Sequence, residues 1–361
     1  MTETIRLATR GSDLALRQTQ RVAEALESRR RKTELIEVET TGDAVRDELI
    51  HRLGKTGAFV RSLDEKILDG DVDAAVHSMK DMPTEFPETL VVAGVPERAA
   101  AADVLVTPDG AALEDLSEGA TVGTSSLRRK AQLLASRPDL DVQPLRGNVD
   151  TRIKKLLAPG LQAEHERRLE AEEADEDGEA DEDDEGEGYD RTPDEWFDDL
   201  AEFERQALGR EVGTEFEAIV LAEAGLERIG LIDAIEYREL SKAFVPAPGQ
   251  GALAVTALEG ELAETLRELL DHPRTRVETT VERTILGTLG GGCVAPIGIY
   301  AIVQGEHVQT RVRILSQDGT EEIEATRDLS IENHPEAARA FAEDLSDRGA
   351  ADLIQQARKE T

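Results

Sequence analysis

Cys293 is the one cysteine of the chain and sits in Leu289-Gly290-Gly291-Gly292-Cys293-Val294-Ala295-Pro296. Three glycines free the backbone and let a bulky group approach the thiol. A buried structural cysteine is the plain alternative, but the flexible setting favours a nucleophile or an attachment point. A second set of residues presents cations where strand-like segments meet helix-like ones. In Ala8-Thr9-Arg10-Gly11-Ser12, Arg10 lies beside a helix start with Ser12 as N-cap, an arrangement suited to anions; a surface pairing of Arg10 with a carboxylate is an equal alternative. In Val76-His77-Ser78-Met79-Lys80-Asp81-Met82-Pro83, Lys80 and Asp81 follow a buried strand and precede a proline, where ligands of open α/β sheets bind. An adjacent Lys-Asp is also a common solvated pair. His77, turned inward by strand alternation, reads as a satisfied core histidine rather than a catalytic one.

Gly123-Thr124-Ser125-Ser126-Leu127-Arg128-Arg129 places two arginines in the first turn of a helix. Cations there oppose the helix dipole at a cost of roughly 0.3–1 kcal/mol each, and become favourable if an anion lies between them. Pro144-Leu145-Arg146-Gly147-Asn148-Val149-Asp150-Thr151-Arg152 repeats the design, with Arg146 at a strand end and Arg152 one turn into the next helix. Arg228, in Ala224-Gly225-Leu226-Glu227-Arg228, is a further candidate, with an exposed helical arginine as the plainer reading. Arginine binds carboxylate or phosphate through paired hydrogen bonds, so a multiply anionic ligand between two α/β domains is the economical inference. Leu53-Gly54-Lys55-Thr56-Gly57 contains GKT, but a phosphate loop needs glycine where Leu49 stands.

The elements that must carry these residues alternate. Strands are expected at 5–9, 35–41 and 73–77, with helices from Ser12 and over 59–68. A second set follows from Val104: strand 120–123, helix 126–136, strand 141–145, helix 149–157, and strand 217–222. This is an α/β pattern with a largely parallel sheet. The acidic, low-complexity run EADEDGEADEDDEGEG reads as an exposed or disordered insertion within about 164–213, with Trp196, Phe197, Leu200 and Phe203 on a short helix docking back. Beyond residue 272, a helix (274–288), strands near 296–303, 307–316 and 320–327, and a helix near 334–348 suggest a small α+β domain.

The 361 residues suggest two or three domains. Asp+Glu 77 against Lys+Arg 42 gives a net charge of −35, which disfavours nucleic acid and anionic membranes. The acid excess is spread widely and reads as a surface adapted to molar salt, where the Debye length falls to roughly 3 Å. No apolar signal core opens the sequence and no run approaches the ~18 apolar residues of a membrane span. A single cysteine excludes an internal disulfide and a Cys-based zinc site; no metal is expected. A cytoplasmic monomer is the expectation.

Taken together, the segments resemble the hydroxymethylbilane synthase (porphobilinogen deaminase) family. The matching stretches are ATRGSDLALRQTQ (8–20), AVHSMKDMPTEFP (75–87), VGTSSLRRKAQLL (122–134), LRGNVDTRIKKL (145–156), AIVLAEAGLERIGL (218–231), PAPGQGAL (246–253) and LGGGCVAPIG (289–298). The resemblance implies two α/β domains like periplasmic anion-binding proteins, 1–97 with 248–270 and 98–247, joined by chain crossovers, and a small α+β C-terminal domain, 271–361. It implies a dipyrromethane primer linked through a thioether to Cys293. Four porphobilinogen units are then added with loss of ammonia, and water releases the linear tetrapyrrole. It assigns Ser78, Lys80, Ser126, Arg128, Arg129 and Arg152 to the primer, and Arg10, Ser12, Gln18, Arg146 and Arg228 to substrate or growing chain. Asp81 matches the catalytic carboxylate, which would hydrogen-bond pyrrole N–H groups and stabilise a cationic azafulvene-like intermediate. The family's GGKG loop reads GKTG here, so its lysine falls on Thr56, with Lys55 one residue early.

Two rival classes stand beside this. A binding protein would use the same cleft to capture an organic anion without chemistry. A thiol enzyme attacking its substrate directly would want a base near Cys293, and the nearest histidine in sequence, His307, carries no motif.

Overall fold

The structure is a computed structural model describing residues 3–38, 58–84, 87–177, 189–291 and 295–359. Cys293, Lys55, Thr56 and residues 178–188 of the acidic run lie outside the described residues. Strand β1 (Glu3–Arg10) shows why its sheet is covered on both faces. Ile5 and Leu7 pack with Val22 and Leu26 of α1 (Asp13–Leu26) and Leu266 of α8 (Glu261–Leu270), while Ala8 on the other face packs with Leu63 and Ile67 of α2 (Ala58–Leu68). Burying each such aliphatic side chain is worth about 1.5–3 kcal/mol, so the alternating apolar pattern forces helices onto both sides. With β2 (Arg31–Val38), β3 (Ala74–Ser78), β4 (Leu90–Gly94) and β10 (Leu253–Leu258), the strand order is β2-β1-β3-β10-β4. β1 runs parallel to β2 and β3, but β10 is antiparallel to β3 and β4.

A second sheet repeats the plan: β5 (Asp103–Val106), β6 (Thr121–Gly123), β7 (Asp141–Gln143), β8 (Ala218–Ala222) and β9 (Tyr237–Glu239), in the order β7-β6-β8-β5-β9. Leu133 of α3 (Leu127–Ser136) covers one face; Ile153 and Leu156 of α4 (Val149–Asp177) and Leu226 of α7 (Glu223–Ile229) cover the other. Here β5 is the antiparallel strand. Each sheet therefore takes one strand from a chain crossing between the lobes, which enters against the parallel strands. The expected largely parallel sheet is met in both lobes, four strands running one way in each, and the single reversed strand is the addition that the crossovers make. Where the crossovers meet, Ala99 N–H donates to the Gly251 carbonyl at 3.1 Å. Gly251 has φ +83°, and a Cβ there would lie 2.5 Å from the Ala99 carbonyl oxygen, so only glycine suits the crossing.

The C-terminal unit is a meander of β11 (Ile297–Gln304), β12 (His307–Leu315) and β13 (Glu322–Ser330) under α9 (Pro273–Thr288), α10 (His334–Asp347) and α11 (Ala350–Lys359). Ile299 N–H donates to the Pro246 carbonyl, fastening this unit to the second crossover. Glu282 of α9, fully buried, pairs with Arg98 of the first crossover at 2.7 Å and accepts from the Gly249 and Ala301 amides. Two α/β units and a small α+β unit are thus the architecture.

The helix expected over 149–157 runs instead to Asp177. Glu, Ala, Arg and Leu are strong helix formers, and Glu164 accepts from Arg167 and Arg168, three and four residues on. The Arg168 guanidinium stacks 4.1 Å from the Tyr189 ring centroid and 5.3 Å from that of Trp196. The aromatics expected on one docking helix lie on two short ones, α5 (Pro193–Asp199) and α6 (Glu202–Leu208), with Leu200 as a C-cap between them. At the least, the stretch up to Asp177 is helix rather than loop.

Candidate active site

The turn after β3 is set by its apolar residues. Met79 and Met82 are each 2% exposed and bury among Val95, Ala252 and Ala254. That leaves Asp81 exposed and Lys80 half-buried on a 3₁₀ turn (Met79–Asp81), with Ser78 half-buried at its start. Met79 N–H donates to the Ala252 carbonyl at 3.0 Å, and Met82 N–H closes the turn on the Met79 carbonyl. His77 is buried and partnered, as the alternation predicts.

Ser126 caps α3, its Oγ accepting from the Arg129 amide. Arg128 and Arg129 are 4% and 5% exposed. The anion that two guanidiniums at a helix start require is, first of all, the protein's own Asp103. Arg128 meets Asp103 Oδ2 at 2.5 Å, and Arg129 meets Oδ1 through Nε at 2.9 Å and through its terminal nitrogen at 2.8 Å. Burial pushes the Asp103 carboxyl up, but the two arginines and Gln250 outweigh it and hold it well below the usual carboxylate range. Arg128 also donates to the Val245 carbonyl, and Arg129 to that of Val220. Asp103 was missed from sequence because a lone acid before the apolar run Val104-Leu105-Val106 reads as a strand boundary; its burial on a strand was the available signal. Gln250, donating to Asp103 Oδ1 at 2.9 Å, was likewise passed over inside PAPGQGAL.

Lys80, Asp81, Arg129 and Arg152 are close enough to perturb one another. Burial lowers the Lys80 ammonium below the ordinary lysine value; Asp81 opposes this, while Arg129 and Arg152 reinforce it. Burial, then Arg129, lowers Arg152 to about 10, with Asp81 acting the other way. Arg152 Nε donates to the Gly147 carbonyl at 2.8 Å. The turn after β3 in one lobe thus faces the helix starts after β6 and β7 in the other. Arg146 is half-buried, its carbonyl accepting from Lys155.

The remaining residues form a second group around α1 and α7. Ser12 caps α1 with its Oγ on the Ala15 amide, Gln18 is buried, and Arg10 is half-buried at the end of β1. Arg228, 8% exposed, donates to the Gly251 carbonyl at 2.6 Å; burial and then Arg21 lower it to about 10. Buried Nε donors of Arg128 and Arg228 find no hydrogen-bond partner among the described residues. Such donors fit ligand carboxylates, since an unmet buried donor costs roughly 1–3 kcal/mol. Cys293 has described flanks at Gly291 and Ala295, and Gly290 before it has φ +65°. Among the described residues no cluster of metal-ligating side chains occurs, and no helix is long and apolar enough to cross a membrane.

Two α/β lobes on crossed strands, with cations from both drawn together beside one exposed carboxylate, define a two-lobed protein with a cation-rich site where the lobes meet. Residues 5–164 and 205–265 match the family described as porphobilinogen deaminase, dipyrromethane cofactor binding domain, and 277–347 match the porphobilinogen deaminase C-terminal domain. A probable porphobilinogen deaminase from Halobacterium salinarum is 53% identical over 99% of this chain and 98% of its own length. One from Methanococcoides burtonii is 35% identical over 97% and 96%, and a porphobilinogen deaminase from Exiguobacterium is 35% identical over 96% and 97%. The chain belongs to the porphobilinogen deaminase (hydroxymethylbilane synthase) family of transferases. The stretch 165–204 lies between the matched segments, within the insertion inferred from the sequence.

Proposed function

We propose that this chain joins four porphobilinogen units, each with loss of ammonia, onto a dipyrromethane primer held as a thioether by Cys293, and releases the linear tetrapyrrole with water. The observation that carries this reading is the convergence of Lys80, Arg129 and Arg152 on Asp81, with the buried Arg128 donor unmet beside them. Each pyrrole bears an acetate and a propionate, so a dipyrrole brings carboxylates to a cluster whose cations are crowded and partly desolvated. Ser78, Lys80, Ser126, Arg128, Arg129 and Arg152 are the proposed primer-binding set. Arg10, Ser12, Gln18, Arg146 and Arg228 are proposed to receive substrate or growing chain; the unmet Arg228 donor supports its place there. The bound primer supplies a nucleophilic pyrrole carbon. Asp81, exposed at the tip of a fixed turn, accepts from pyrrole N–H groups and stabilises positive charge developing on the substrate ring as ammonia departs.

The proposed domains are 1–97 with 248–270, 98–247 and 271–361, a division supported by one sheet in each. We also propose a cytoplasmic monomer with no nucleic-acid partner, as its acid excess favours. The test of the catalytic assignment is Asp81→Asn: the primer still attaches, while turnover falls about 100-fold or more. Near-normal turnover contradicts the role given to Asp81.

A further inference from the structure

Behind the Lys80–Asp81 turn lies a buried polar triangle that the chemistry above does not use. Asp64 of α2, His77 of β3 and Thr256 of β10 are 6%, 5% and 0% exposed. His77 Nε2 is 3.1 Å from Asp64 Oδ1 and 3.0 Å from Thr256 Oγ, and the Thr256 hydroxyl donates to the same Asp64 oxygen at 3.0 Å. One Asp64 carboxyl oxygen thus faces both the imidazole Nε2 and the threonine hydroxyl. Around this triangle the α2 face of the sheet is apolar: Leu63, Ile67, Val72 and Ala75. Polar groups placed in such a core carry a desolvation cost that apolar residues avoid. What they add is direction, since hydrogen bonds fix a ring orientation that dispersion contacts leave free.

That direction bears on the turn. The β3–β10 ladder ends with Ser78 opposite Leu253, one residue beyond His77 opposite Ala254. The chain then turns, held by the Met79 amide on one side, and presents Lys80 and Asp81 three and four residues after His77. We infer that Asp64 is a positioning residue for Lys80 and Asp81: by gripping His77 together with Thr256, it sets the exit angle of β3 and hence where the Asp81 carboxylate stands. This rests on the roles proposed above for those two residues.

The test compares Asp64→Ala, Asp64→Asn and Asp81→Asn as primer-loaded enzyme in high salt, with kcat and KM for porphobilinogen measured at matched primer occupancy by mass. Asp64→Ala is expected to lower kcat about 10- to 100-fold, as sub-ångström misplacement does, with KM within about 2-fold of the parent. Asp64→Asn, whose Oδ1 still accepts from both partners, is expected to regain most of the lost kcat. A merely structural role would lower Tm without this split or rescue. Unchanged kcat in folded Asp64→Ala, or equal losses in the Ala and Asn variants, overturns the inference. If Asp64→Ala does not fold, Thr256→Val takes its place, with a kcat loss of about 3-fold or more expected and unchanged kcat overturning. An active Asp81→Asn would sink the underlying reading instead, which separates the two failures.

Discussion

Arg128 and Arg129 stand where positive side chains work against the dipole of their own helix. From sequence they call for an anion, and Asp103 supplies one from within the chain at 2.5–2.9 Å. The anion that the structure shows is therefore internal, and the ligand role proposed for Arg128 rests on its Nε, which has no hydrogen-bond partner among the described residues. Removing one member of a buried ion pair typically costs about 3–5 kcal/mol. Asp103→Asn is accordingly predicted to lose stability on that scale in denaturant titrations at high salt, and a change below about 1 kcal/mol contradicts the bridging role. The acid dependence has a definite sign. Because the folded carboxyl titrates below the usual carboxylate range, its contribution is fully present above that range and is lost as pH falls through the lower folded value. The cation-bearing turns were legible because Gly, Ser and Arg at strand ends leave a local signature. Asp64 and Asp103 were not, because a buried acid looks like any other in a chain with so many.

Element by element, most of the α/β alternation could be read from apolar periodicity, and Ser12 and Ser126 cap α1 and α3 as their types predict. The direction of β5 and β10 could not be read, because they take it from crossovers that periodicity does not encode. The C-terminal helix α11 was also missed, although Leu353, Ile354 and Ala357 give it an apolar face. Net charge was a poor guide to α4, whose acidic second half is held by ion pairs and by Arg168 stacked on Tyr189 and Trp196. Its core contacts, Ile153 and Leu156, lie in its first turns. Replacing residues 165–204 with a short Gly-Ser linker is predicted to leave turnover within about 2-fold, as for other surface insertions. A large loss of kcat would give this arm a part in the reaction.

For the whole molecule, the crossovers are the junction on which everything else is hung: Arg98–Glu282 ties the C-terminal unit to one, Pro246 ties it to the other, and Asp103–Gln250 joins both to the second sheet. The chain as a whole carries a net charge of −35. Raising salt from about 0.1 M to about 1 M shortens the Debye length from ~10 Å to ~3 Å, so Tm is predicted to rise over this range. A Tm that stays flat or falls contradicts the salt-adapted reading. The central claim, a polymerising enzyme primed at Cys293, is tested most directly by the intact mass of the protein purified from its own cells under denaturing conditions. The account predicts an excess equal to two linked pyrroles, absent in Cys293→Ser. An unmodified mass in active enzyme, or an excess that survives in Cys293→Ser, would contradict it.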